Sequence, residues 1–136
     1  MPALTPGVSS VRLNQGNLAP ILGNFVQSLA SGGFDKAIPL YDKMAAQAGA
    51  FKLGPNEVYA WGAQLFKLDR PVQAREIFRL GDHVHPNLGF MIDALAEMQA
   101  KTGQVAEAVK SYRRPLVLDP NDADAATYLK EHGAAP

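Results

Sequence analysis

The chain has 136 residues, 47% of them hydrophobic, with thirteen basic side chains against thirteen acidic ones and no cysteine. That length fits one domain with an apolar interior of its own, and the charge balance excludes the global positive field that draws a protein onto nucleic acid or an anionic membrane. Without cysteine there are no disulfides, no thiol catalysis and no usual structural zinc site.

Residues 1–17 carry prolines, serines and little periodicity, and read as an N-terminal tail or linker. They show no basic-then-apolar signal pattern, and no apolar stretch of the chain approaches the ~20 residues that a membrane-crossing helix needs. As written, the chain reads as cytoplasmic. A piece of a larger exported protein behind a new methionine would read the same way and would be periplasmic.

Hydrophobic periodicity predicts seven helices, over residues 18–31, 35–48, 56–67, 70–83, 88–101, 104–117 and 122–132. The first offers Asn24 and Phe25 where later copies carry a large-small pair. Ala37 and Tyr41 mark the second, after Gly32 and Gly33, with Pro39 near its start. Val58, Trp61, Gly62 and Leu65 form one stripe of the third, and Gly62 leaves room for a neighbouring helix. Pro71 opens the fourth, where a missing amide costs little, and Ala74 and Phe78 follow. Asn87 is placed to cap the fifth, whose stripe is Ile92, Leu95 and Ala96, with Gln99 as a polar exception. In the sixth, Ala108 and Tyr112 precede Pro115, an interior proline predicted to kink or end the helix near Arg114. Asn121 is placed to cap the seventh, Asp122 and Asp124 complement its dipole, and Ala125, Ala126 and Leu129 supply its inward stripe.

Residues 55–88 and 89–122 align without a gap at a period of 34, which places Ala74 on Ala108, Phe78 on Tyr112 and Pro86 on Pro120. Alanine, an aromatic four residues later and proline eight after that, at this period, resembles the tetratricopeptide repeat family. The resemblance implies an all-α fold, a right-handed solenoid of helix hairpins over residues 18–136. Its repeats would span 18–54, 55–88 and 89–122, with a closing helix at 122–132. Residues 18–54 form a degenerate copy, as expected of a capping repeat.

Catalytic chemistry is hard to assemble from this inventory. No serine stands in a hydrolase motif, and no phosphate-binding glycine loop is present. His83 and His85 with Asp82 are the one local pair with metal-ligand residue types, but a spacing of two points helical side chains apart. Imidazoles at a helix C-terminus explain them. The acids Asp119, Asp122 and Asp124 lack the central glycine and terminal glutamate of a calcium loop, and turn and cap roles explain them. No cofactor, metal or catalytic residue is expected, so the chain reads as a non-enzyme.

Carried over from the family resemblance, groove-facing positions are Asn56, Tyr59, Ala63 and Phe66 in one repeat, and Phe90, Asp93, Glu97 and Lys101 in the next. Tyr59 and Phe90 are the informative members, because solvent-facing aromatics are typical anchors; the alternative is that both rings pack on neighbouring helices. Asp93 and Glu97 lie one turn apart and suit an apolar or mildly basic segment. Some family members grip a partner's C-terminal carboxylate with Lys, Arg and Asn, and the matching faces here depart from that pattern. The implied function is a scaffold or adaptor that binds a protein or peptide segment, without nucleic acid or membrane insertion.

The order Phe34-Asp-Lys-Ala, Tyr41, Val58-Tyr-Ala-Trp-Gly, Ile77-Phe-Arg-Leu and Leu118-Asp-Pro-Asn also looks like the helical tail that follows the catalytic domain in many bacterial serine hydrolases. That resemblance implies a non-catalytic accessory domain. A self-associating repeat, possible as a homodimer, is the third expectation.

Overall fold

The computed structural model describes residues 19–47 and 53–133. The tail expected at residues 1–17 lies outside them. Among the described residues there are seven α-helices and no strand: α1 (Ala19–Gly32), α2 (Ala37–Gln47), α3 (Pro55–Lys67), α4 (Pro71–Val84), α5 (Gly89–Lys101), α6 (Val105–Leu118) and α7 (Ala123–Glu131). A 3-10 turn, Phe34–Lys36, leads into α2. No described helix is long and apolar enough to cross a membrane.

The helices pair as antiparallel neighbours joined by short turns, with α3 packed on α4 and α5 on α6. The α4 helix lies against both α2 and α5 and so links successive pairs, while α7 closes the stack against α6. The larger core cluster runs from Phe25 and Leu29 through Trp61, Ile77 and Leu80 to Met91 and Met98. A smaller one holds Ala96, Ala108, Tyr112, Ala125 and Leu129. Three of those five are alanines, so α7 is attached chiefly by the fully buried Leu129, whose burial contributes on the order of 2 kcal/mol.

Gly62 sits where α3 meets α4. A methyl group added there would stand 2.5 Å from Cε1 and 2.6 Å from Cζ of Phe78, well inside contact distance. Gly81 does the same between α4 and α5, where an added Cβ would meet Met91 Sδ at 2.5 Å and Val58 Cγ1 at 2.9 Å. Met91 can swing away at Gly81, but a buried ring cannot at Gly62. Gly62→Ala is therefore expected to cost about 1–3 kcal/mol through overpacking. Urea unfolding followed by circular dichroism checks it, and an unchanged midpoint would show that the Phe78 ring moves freely.

Helix ends account for most departures from the sequence expectations. Pro71 occupies the first turn of α4, as expected. Leu88, not Asn87, is the residue before α5: Asn87 takes a left-handed turn at φ 69°, a conformation that asparagine tolerates. Asp122, not Asn121, caps α7. The Asn121 amide donates to Asp119 Oδ1 (3.0 Å), which leaves the Asp122 carboxylate to accept from the Ala125 amide at 3.1 Å. Of the expected α7 stripe, Ala125 and Leu129 are buried and Ala126 is exposed.

Pro115 does not end α6, which runs on to Leu118. The proline comes within the last turn, so a single amide is lost there, and its ring is fully buried. Arg114 beside it donates to both Asp82 carboxylate oxygens at 2.6 and 2.9 Å, tying α6 to α4. Gln99, the polar exception in the α5 stripe, is buried and accepts a 2.6 Å bond from the Ser111 hydroxyl. A buried polar pair satisfied in this way fits where an apolar residue was expected.

Candidate functional site

The α3 and α5 helices are the first members of successive hairpins, and together with α6 and the closing helix α7 they border a cleft of about 580 Å³. Tyr59 enters it from α3 and Phe90, Asp93, Ala94 and Glu97 from α5. Tyr112 lies at its floor on α6, and Asp124, Thr127, Tyr128 and Glu131 form the α7 wall. The α7 residues recur at one-turn intervals, which turns one helical face toward the opening.

Tyr59 and Phe90 meet edge to face, with ring centroids 5.4 Å apart, and Tyr59 also lies 5.7 Å from the buried Phe78 ring. Packing and exposure coexist here. Tyr59 stays 40% exposed and Phe90 44%, so both rings present a supported apolar surface to solvent. Tyr112 and Tyr128 lie 4.7 Å apart, and Tyr128 stacks on His132 at 3.9 Å.

The cleft is acidic. Burial, a hydrogen bond with Asp122, and the charges of Asp122, Asp124 and Asp119 together push the Asp93 carboxyl up to about 7. Burial and the neighbouring charges of Glu97, Asp93 and Asp124 push the Tyr112 hydroxyl up to about 12, so it stays protonated and neutral across the physiological range. Asp93 Oδ1 and the Tyr128 hydroxyl are buried without hydrogen-bond partners. No Lys or Arg is among the described residues that line the cleft.

Of the eight groove positions expected from the sequence, the structure gathers Tyr59, Phe90, Asp93 and Glu97 in this cleft. Ala63 faces a separate shallow hollow with Ala60, Gln64 and Lys67 on the same helix. Phe66 and Lys101 pair with each other near the far ends of α3 and α5, where the ammonium sits 5.6 Å from the ring centroid. Asn56 is exposed at the start of α3 and lines neither hollow.

Half of the cleft was absent from the sequence reading. Tyr112 matches a repeat position that reads as interior, and it is buried, yet one side of it also lines the cleft. The α7 residues lie past the last aligned repeat, where only a cap was expected. Their signal was Asp124, Tyr128 and Glu131, at spacings of four and three on one face.

His83 and His85 point apart, as their spacing requires. His83 Nε2 lies 2.8 Å from Asp42 Oδ1, and His85 Nε2 lies 2.5 Å from the Leu53 carbonyl oxygen. Both tie α4 to preceding segments, a larger part than the helix-end placement expected of them. Among the described residues no group of three or more His, Cys, Asp or Glu side chains could hold a metal ion.

No family model matches the chain, and no curated protein does. Among solved structures 29 chains match. One is the first TPR of Spaghetti (RPAP3), bound to the HSP90 peptide SRMEEVD. It superposes with a TM-score of 0.56 over 89% of this chain and 94% of that one, at 18% identity. Seven helices packed as successive hairpins, the glycine-mediated approach at Gly62 and that superposition together establish that the chain has the tetratricopeptide repeat fold.

Proposed function

We propose that the protein is a non-catalytic interaction module that holds a polypeptide segment in the cleft bordered by α3, α5 and α7. The observation that carries this reading is the pair Tyr59 and Phe90, packed edge to face yet exposed at the mouth of a 580 Å³ cleft. Rigid aromatics half open to solvent bury large area on binding at little entropic cost. The RPAP3 domain of the same fold is seen with a peptide bound, which supports a peptide as the class of ligand.

Selection from a random peptide library tests the reading. The wild-type protein is expected to enrich a common sequence, and Tyr59→Ala with Phe90→Ala is expected to weaken the selected peptide about 30-fold or more. That loss corresponds to at least ~2 kcal/mol for truncated anchors, with helix content unchanged by circular dichroism. Full affinity in the folded double variant, or no enrichment with the wild type, would end the assignment of this cleft.

A further inference from the structure

Resting on the reading of the cleft as a peptide groove, we infer that its occupant is a cationic segment that inserts a Lys or Arg side chain between the α5 and α7 walls. The carboxylates Glu97, Asp124 and Glu131 rim the opening, and no basic side chain among the described lining residues neutralises them. Facing carboxylates with no counter-charge repel one another. An entering cation removes that repulsion, whereas an acidic segment adds to it.

The aromatic lining fits the same ligand. Tyr59, Phe90 and Tyr128 line the cleft with ring surface, which attracts an ammonium or guanidinium and covers its aliphatic stem. The chain uses this contact elsewhere, where the Lys101 ammonium sits over the Phe66 ring.

Three short fluorescent peptides of one pattern, alternating Leu with Lys, Gln or Glu, test the charge preference by anisotropy. The Lys probe is expected to bind roughly tenfold or more tighter than the Gln probe, and the Glu probe weakest, with the Lys advantage shrinking as salt is raised. Glu97→Gln with Glu131→Gln is expected to weaken the Lys probe about fivefold or more and so to narrow its advantage over the Gln probe. Glu107→Gln, on the first turn of α6 outside the cleft, is expected to do neither. Equal binding of the three probes, or preference for the Glu probe, would overturn the cationic occupant and leave the peptide groove standing. Failure of all three to bind a protein that enriches an uncharged or acidic library peptide would overturn it equally. A dimer that dissociates on Glu97→Gln would assign the cleft to a second copy of the chain and also overturn the proposal.

Discussion

Trp61→Ala is expected to destabilise the folded chain by about 3–5 kcal/mol, a large share of the ~5–15 kcal/mol that holds a domain of this size together. Trp61 is buried at the junction of the first hairpin with the rest of the stack. Its ring meets Phe25 of α1 edge to face at 6.1 Å and Phe34 of the 3-10 turn at 6.3 Å, and Phe25 in turn meets Tyr41 of α2 at 6.1 Å. Alanine would leave a large void and withdraw the contact on which both α1 and the turn rest. Urea unfolding followed by far-ultraviolet circular dichroism measures the loss. Trp61→Phe keeps an aromatic ring and is expected to recover more than half of it. A loss below about 1 kcal/mol for the alanine variant would mean that the first hairpin is held by other contacts.

The second large effect depends on pH. Asp93 has a folded-state value of about 7, well above the ~3.9 of an unfolded aspartate. Between those values the folded chain keeps a proton that the unfolded chain has released, so this group makes stability fall as pH rises through that window. The groups facing it are Asp119 and Asp122 in the turn before α7, Asp124 on α7, and Tyr112 on α6. None of them supplies a positive charge. Asp93→Asn keeps the shape and can donate to Asp122 at any pH. It is expected to gain on the order of 1–2 kcal/mol over the parent at pH 8, allowing for solvent screening in the open cleft, and little or nothing at pH 4. Thermal melts at the two pH values check the difference. A variant equally stable relative to the parent at both would show that Asp93 ionises as an ordinary surface acid.

The sequence was most legible where the fold repeats itself. A period of 34 residues aligned Ala74 with Ala108 and Phe78 with Tyr112, and all four are buried. Gly62 was legible as a point of close approach because only a missing side chain explains glycine on an apolar stripe. Pairings between distant polar residues were not legible. Gln99 read as a mismatch until Ser111 supplied its hydrogen bond, and Asp82 read as a neighbour of the histidines until Arg114 bound both of its oxygens. Each polar residue signalled that it needed a partner, but periodicity does not say which.

The site divides along the same line. Tyr59, Phe90, Asp93 and Glu97 followed from their place beside the inward stripes of α3 and α5. The far wall did not, because α7 lies past the last aligned repeat and its inward residues, Ala125 and Leu129, drew attention away from its other face. Phe66 and Lys101 shared the repeat register of the true lining residues, yet they satisfy each other instead. Register places a residue on a face; only packing decides which hollow it joins. Since Leu129 is the main anchor of α7, the wall that register missed is also the one most lightly attached to the core.

A nuclear magnetic resonance titration of the labelled protein with a library-selected peptide tests the central claim most directly. The cleft reading predicts that amide shifts cluster at Tyr59, Phe90, Glu97 and Tyr128, on the three helices that border this opening, while Arg79 on α4 and Lys110 on α6 stay in place. Shifts concentrated at Arg79 and Lys110, with Tyr59 and Tyr128 unmoved, would contradict it.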